Sequence, residues 1–167
     1  MQLSYPVAIE PVDGDHVVVV RGLPEIVTAG DTVEEALALA ADALEVVLGA
    51  RMDRGRDVPE PTAPEPGEQL VPLLPLLGAK LAVYLALRTS GISADEFAAR
   101  LGVAPRDVRD LLSTKADTPL ASLARAAEAL DTRLVIGLEP ARDGASRCGE
   151  PPSAISRAGD RLAFFAR

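Results

Sequence analysis

A proline-rich segment near the middle of the chain constrains the fold more than any other feature of the sequence. The stretch RDVPEPTAPEPGEQ carries prolines at 59, 61, 64 and 66. Each proline fixes φ and removes a backbone donor, so neither a helix nor the interior of a sheet can pass through the segment. We expect a semi-rigid connection over residues 55–68. It separates a first part with strand patterns from a second part with helical patterns.

The first part predicts a small antiparallel sheet. Large apolar residues occupy every second position over residues 3–9, and Val17–Val20 is β-branched throughout, so both segments predict strands. Asp13-Gly14-Asp15 between them signals a turn, and the two strands should form a hairpin. Pro6 lacks a ladder donor, which argues that the first strand lies at an edge or carries a bulge. A third strand is expected at Ile26–Ala29, and residues 69–74 could return to the sheet as its last strand.

A helix should cover one face of this sheet. Thr32 and Glu35 have the spacing of a capping box, in which each side chain binds a backbone N–H at the start of a helix. Apolar residues at helical spacing follow as far as residue 48, and we expect the helix to end at about Asp53, before Gly55. The domain boundary is expected at residues 74–79.

The second part predicts two short helices joined by a tight turn within residues 92–115. Ser93 and Glu96 form another capping box, Gly102 provides the left-handed residue that ends the first helix, and Pro105 suits the first turn of the second. Flanking helices are expected at residues 76–90 and 119–130. This order is typical of a helix-turn-helix, whose second helix enters the major groove of DNA. The outward residues of the second helix would be Arg106, Asp107, Arg109, Asp110 and Ser113.

An ordinary helical hairpin is the alternative interpretation of this stretch. Arg106 and Asp110, four residues apart, would then form a solvated pair contributing only about 0.2–0.5 kcal/mol. The small Ala98 within the first helix, the Gly-Val turn and the spacing of the flanking helices favour DNA binding. Ser93 and Lys115, at the two ends of the motif, are better placed for phosphates than for bases.

Residues 133–138 alternate like a strand that has no neighbour among the predicted helices. Leu134, Ile136 and Leu138 would share one face. Because a single strand is not stable alone, we expect it to pair with its copy in a second chain. The protein should therefore be a dimer, or a dimer of dimers.

Charge is unevenly distributed along the chain, whose net charge is −8. Residues 1–66 hold four basic and thirteen acidic residues, a net charge of −9, whereas residues 79–133 hold eight basic and seven acidic residues. The first part should repel nucleic acid and attract a basic partner, and the second is compatible with DNA. With one cysteine, Cys148, no membrane-spanning run and no leader pattern at Met1, we expect a cytoplasmic protein.

Taken together, four features resemble the HicB antitoxins that carry a C-terminal helix-turn-helix. These features are YPVAIEPVDGDHVVVV, the segment GLPEIVTAGDTVEEALALAADALEVVL, the proline-rich connection, and the helix-turn-helix ending in RLVIGLE. The resemblance covers residues 3–139. It implies an α+β protein in which a truncated RNase-H-like domain, residues 1–74, binds and blocks a small mRNA-cleaving HicA toxin. Residues 75–139 would then repress the operon by binding an inverted repeat as a dimer.

The resemblance leaves the contact residues open. We take four acidic residues of the first part, Glu10, Asp13, Asp15 and Glu25, as candidates for toxin binding. The tail, residues 140–167, departs from the family pattern; it is rich in Arg, Ser, Gly and Pro, and we expect it to be disordered.

Two other functions are alternatives to this interpretation. A transcription factor whose first domain senses a small ligand is the nearest alternative, although two Tyr, three Phe and no Trp offer little with which to line a pocket. A residual nuclease would need Glu10, Asp13 and Asp15 to hold metal, but their spacing is that of a turn. His16 and Cys148 lack the neighbours of a catalytic base or nucleophile. We therefore expect no catalytic residues, metal or cofactor.

Overall fold

The computed structural model describes residues 3–137, which form a mixed α+β structure with a four-stranded antiparallel sheet and five helices. Residue Leu138 of the expected dimer strand, Cys148 and the tail lie outside the described residues. The elements follow the order β1 (Ser4–Val12), β2 (Asp15–Val20), β3 (Val27–Gly30), α1 (Val33–Asp53), β4 (Gln69–Pro72), α2 (Pro75–Ser90), α3 (Ala94–Leu101), α4 (Pro105–Leu112) and α5 (Leu120–Glu128). The α+β class is confirmed, and the RNase-H-like likeness stays a prediction.

The hairpin and the strand order follow from local turn chemistry and from one long-range pairing. Asp13 and Gly14 both have positive φ, 53° and 100°, as a two-residue hairpin turn of the type favoured by Asp-Gly requires. The strands lie in the order β3-β2-β1-β4. The expected last strand is present: β4 pairs with the start of β1, with Tyr5 opposite Val71.

The expectation that Pro6 places β1 at an edge or a bulge is wrong, because β1 lies between β2 and β4. The pairing with β2 begins only at Val7, opposite Val20. Pro6 therefore sits just beyond the end of that ladder, where its carbonyl still accepts the N–H of Arg21 at 3.1 Å. The N–H and C=O of one strand residue point toward the same neighbouring strand. The N–H that Pro6 lacks would therefore point toward β2 beyond its last paired residue, so no ladder hydrogen bond is lost.

Helix α1 covers one face of the sheet. Thr28 Oγ1 donates to the carbonyl of Ala36 at 3.2 Å, and a Cβ on Gly30 would come within 2.7 Å of the Ala36 nitrogen. A side chain at residue 30 would thus push the helix off the sheet. The fully buried side chains between these layers are Tyr5, Val7, Val18, Val20, Leu23, Ile26, Ala36, Ala40, Leu44 and Leu48.

The proline-rich segment has no helix or strand over residues 56–65, as predicted, yet it is bound to its surroundings along its length. Tyr5 donates its hydroxyl to the carbonyl of Pro59 at 2.7 Å, and Tyr84 donates to the carbonyl of Arg56 at 2.6 Å. Arg21 donates to the carbonyl of Ala63 at 2.5 Å. Burial raises the pKa of both tyrosine hydroxyls, Tyr5 more strongly. The segment is therefore a fixed part of the structure.

The four helices after residue 74 begin and end close to the expected positions. Leu120 has helical spacing to the buried Leu123 and Ala127 but is 45% exposed, because it is the first residue of α5. The described residues as far as Val135 form one compact unit, and a Cβ on Gly49 of α1 would lie 2.6 Å from Thr114 Oγ1 in the loop after α4. The two parts of the chain thus pack closely together. The expected domain boundary at residues 74–75 stays a prediction, which concerns how the functions are divided between the two parts.

Candidate functional site

Helices α3 and α4 have the ends that the sequence predicts. Ser93 Oγ accepts the N–H of Glu96 at 3.2 Å, and the Glu96 carboxylate accepts the N–H of Ser93 at 2.9 Å, which completes the capping box. This backbone hydrogen bond, followed by the Ser93 hydroxyl, lowers the pKa of Glu96. Gly102, at φ +70°, ends α3. The Ser93 hydroxyl is thus already used within its own helix, which makes it a weak candidate for a phosphate contact.

Helix α4 turns an apolar side inward and a charged side outward. Val108 and Leu112 are buried, and Leu111 packs partly against the core. The outward candidates Arg106, Asp107, Arg109 and Asp110 are all exposed, and Ser113 is half-buried at the end of the helix.

Asp107 has a local role. Its carboxylate accepts the N–H of Ala104 at 3.0 Å, which satisfies a free donor at the start of α4, and lies 3.5 Å from Nε of Arg106. Asp107 thus caps the helix and faces Arg106. Arg109 is exposed one helical turn further along, so the two arginines share the outer surface of α4.

A buried lysine fixes the loop that follows α4. Lys80 of α2 is only 1% exposed, and its ammonium donates to the carbonyls of Ser113 and Ala116, each at 2.6 Å. Burial lowers the pKa of Lys80, against the opposing effect of Asp117 and Asp53. The loop carries the exposed Lys115, so Lys80 helps to set where that candidate phosphate ligand emerges.

Sequence reasoning missed Lys80 because a lysine within an apolar helix pattern is normally expected to reach solvent. No local signal in the sequence identifies its partners, which are main-chain carbonyls more than thirty residues away.

The structure does not bring the four acidic candidates together. Glu10 lies on β1, and Asp13 and Asp15 lie at the hairpin turn, all exposed. Glu25 precedes β3 and lies at the other end of the sheet, because Gly30 at the far end of β3 is the residue opposite His16. The hairpin end and the Glu25 end are therefore separate surfaces.

Glu25 is also engaged within the chain. Its carboxylate lies 2.5 Å from the Nη2 of Arg51, and Arg51 donates as well to the carbonyl of Asp57 at 2.9 Å. A hydrogen bond from its own backbone N–H, and then Arg51, lower the pKa of Glu25. Among the four candidates, Glu25 is thus the least available to a partner.

Over residues 3–137, no group of three or more His, Cys, Asp or Glu side chains is arranged to hold a metal ion. Two grooves of about 430 and 320 Å³ run beside α1, bordered by exposed Val46 and Glu25. Another, of about 280 Å³, lies between α4 and α5 beside Asp110. No described helix is both long and apolar enough to span a membrane.

The acidic part of the chain that contains the sheet is similar to known proteins. Residues 4–82 match a family model described as HicB_like antitoxin of bacterial toxin-antitoxin system. Antitoxin HicB of Pseudomonas fluorescens (strain Pf0-1) is 37% identical over 120 residues, which cover 71% of this chain and 82% of that protein. The chain belongs to the HicB antitoxin family.

Two further HicB proteins match over most of their length. Antitoxin HicB 2 of Photorhabdus laumondii subsp. laumondii is 31% identical over 132 residues, covering 79% of this chain and 94% of that protein. Antitoxin HicB of Escherichia coli (strain K12) is 26% identical over 133 residues, covering 79% and 96%. The predicted membership is thus confirmed, and the similarity extends past the family model into the helical part.

The segment predicted to pair with a second copy, residues 133–138, is described in the structure as far as residue 137. Residues 132–137 have no regular structure in the single chain. Leu134 packs partly against the core, whereas Val135 and Ile136 are 76% and 59% exposed. An exposed apolar pair at this point is compatible with pairing to a second copy, which stays a prediction.

Proposed function

We propose that this chain binds and neutralises a small, mRNA-cleaving toxin of the HicA type, and represses its own operon by binding operator DNA. Family membership carries the antitoxin role. The two activities divide between residues 1–74 and residues 75–139. The first of these carries most of the negative charge, and the second contains the exposed arginines of α4.

Toxin capture is supported by charge. A net charge of −9 over residues 1–66 attracts a basic protein and repels RNA, so bound antitoxin would also keep RNA away from the toxin. Exposed charges are screened beyond about 10 Å at 0.1 M salt, so association should slow as salt rises.

The test uses the toxin, which we expect to be a small basic protein encoded beside this chain. Expressing that protein alone should arrest growth, and co-expressing the full-length chain should restore it, with the two proteins purifying together. Growth arrest that the full chain does not relieve would refute the antitoxin role.

Operator binding is supported by the form of the α3–α4 pair. Both helices are capped, the turn is fixed by Gly102, and α4 presents Arg106 and Arg109 on its outer surface. Arginine is well suited to bidentate contact with guanine in the major groove. Lys115 is placed for phosphate, which contributes affinity without sequence preference. Because this part of the chain is nearly neutral, we expect useful affinity only from a dimer on an inverted repeat.

Two substitutions separate base contacts from phosphate contacts. Arg109→Ala should weaken binding to the operator by about 1–3 kcal/mol per half-site and change binding to random DNA little. Lys115→Ala should weaken both and reduce the salt dependence. Arg54→Ala, an exposed arginine in the acidic part, is the control. Equal operator affinity for Arg109→Ala and Arg54→Ala, measured at the same salt, would place α4 outside the groove.

The remaining expectations follow from these two activities. The protein should act in the cytoplasm, where both the mRNA and the operon lie. It should also be a dimer or a dimer of dimers, held in part by residues 133–138 pairing across a two-fold axis, which would set two α4 helices about 34–36 Å apart.

A further inference from the structure

The sheet has a second face, opposite α1, that carries several exposed apolar side chains in the described structure. In an antiparallel pair, residues directly opposite one another lie on the same face, and successive residues alternate between faces. Thr28 points toward α1, so its neighbours Val27 and Ala29 point away. This second face also carries the buried Ser4 and Pro6 at the start of β1 and the charged Glu10 and Asp15. Its exposed or half-buried apolar residues, together with their surroundings, are what we name the open sheet face: Ala8, Val12, Val17, Val19, Val27, Ala29 and Leu70.

The open sheet face is continuous across the sheet. Val27, Val19 and Ala8 stand side by side on three neighbouring strands. Val12, Val19, Val27 and Leu70 are 45%, 37%, 58% and 40% exposed, although all belong to strands. Apolar side chains in this arrangement form a patch rather than scattered contacts, and such patches mark interaction sites.

The sequence of β2 gives an independent reason to expect a covering layer. An antiparallel sheet with one face in water normally alternates apolar and polar residues, whereas a strand covered on both faces is apolar throughout. The inner strand β2 reads Val17–Val20 without interruption. Val18 and Val20 are covered by α1, but Val19 has no such cover from that helix. The composition of β2 therefore fits a sheet that is covered by a second layer.

The charges around the open sheet face select the kind of partner. Glu10 lies on this face opposite Val17, and Asp15 lies on it opposite Val12. The basic residue that follows β2, Arg21, is neutralised, with Nη1 2.8 Å from Glu65 and Nε 2.9 Å from Glu68. A second copy would bring the same acidic groups together, which is unfavourable, whereas lysines and arginines of a basic partner would pair with them.

From these observations we infer that the open sheet face is the surface on which the basic toxin docks. The inference rests on the proposed antitoxin function and adds the location of the contact. The partner places apolar side chains against the valines of β2 and β3, and basic side chains beside Glu10 and Asp15. Glu25 is paired with Arg51 of α1, the helix on the opposite side of the sheet, and takes no part.

A lysine introduced at the open sheet face should repel the basic partner and leave an unpaired charge in the contact. Leu70→Lys in the full-length chain should therefore weaken toxin binding by at least about tenfold and reduce growth rescue. Leu39→Lys is a matched control, because Leu39 is 41% exposed on α1, the helix on the opposite side of the sheet. It should bind the toxin within about twofold of the parent, since a mutation outside a contact has little effect. Thermal unfolding of both variants checks that they fold.

Thiol labelling gives a second measurement that does not depend on a new charge. In a Cys148→Ser background, Leu70→Cys should react with a maleimide in the free chain and be protected when the toxin is added. Leu39→Cys should react equally in both states.

The possible outcomes distinguish the docking surface from the proposed antitoxin function. A parent chain that does not bind the toxin would refute the proposed function. A parent that binds, with Leu70→Lys binding equally well and Leu70→Cys reactive in the complex, would refute only the docking surface. Protection of Leu70→Cys before toxin is added, together with a smaller assembly for Leu70→Lys by light scattering, would assign this face to a second copy and also overturn the inference.

Discussion

Gly49 provides a quantitative test of the packing between the sheet-bearing and helical parts of the chain. It is buried within α1, and a Cβ at this position would lie 2.6 Å from Thr114 Oγ1 and 2.8 Å from Thr114 Cγ2. Gly49→Ala gains about 0.5–1 kcal/mol from the lower backbone entropy of alanine in a helix. Forcing a methyl into a packed contact costs about 1–3 kcal/mol. We therefore expect a net loss of about 0–2.5 kcal/mol in the free energy of unfolding.

Gly78 supplies the matched control. It also lies in a helix, α2, but the nearest atoms to a Cβ there are those of Leu3 at 3.8 Å, an ordinary contact distance. Gly78→Ala should thus stabilise the protein by about 0.5–1 kcal/mol. Urea unfolding followed by circular dichroism measures both variants, and the two should differ by about 1–3 kcal/mol, the cost of the methyl at the packed site.

Shortening the threonine should relieve the strain. Thr114→Ala removes both atoms that lie closest to the added methyl, so the double variant with Gly49→Ala should be more stable than the sum of the single effects predicts, by about 0.5–3 kcal/mol. If Gly49→Ala stabilises the protein as much as Gly78→Ala does, and the double variant shows no coupling, α1 does not pack on the loop after α4 as described.

Three further predictions concern stability and assembly. The pKa of Tyr5 is raised in the folded state above its ordinary value of 10.0, so the stability it provides is complete below pH 10 and falls as pH rises further; Tyr5→Phe should flatten the alkaline fall in melting temperature. The pKa of Glu96 is lowered from 4.5, so its stabilising effect is present above that pH and is lost as pH falls; Glu96→Gln should flatten the acid side of the stability profile. Ile136→Pro, which removes a ladder donor, should make the protein monomeric by light scattering, and a variant that stays dimeric would exclude the strand pairing.

Local signals in the sequence predicted the ends of the elements well. Helix ends are set by contacts with backbone groups only a few residues away, so the spacing of the sequence alone identifies them. Examples are Ser93 with Glu96, Gly102 and Gly55. The Asp13-Gly14 turn belongs to the same class. These features do not depend on where the rest of the chain lies.

Long-range features could not be predicted in the same way. The inner position of β1 depends on β4, more than sixty residues further along. The donor that Pro6 lacks costs no ladder hydrogen bond, because it faces β2 beyond the last paired residue. The burial of Lys80 depends on carbonyls supplied by another helix end. For the candidate site, the outward side of α4 was predictable from helical periodicity, whereas the separation of Glu25 from the hairpin end required the register of β3.

One measurement tests the antitoxin function most directly. RNA cleavage by the purified toxin, which we expect to be a small basic protein encoded beside this chain, is followed while the full-length chain is added. The variants Leu39→Lys and Leu70→Lys are measured in parallel. We predict that cleavage falls in proportion to added chain until the toxin is saturated, that Leu39→Lys behaves like the parent, and that Leu70→Lys requires a large excess. Cleavage that continues unchanged in the presence of excess parent chain would contradict the account.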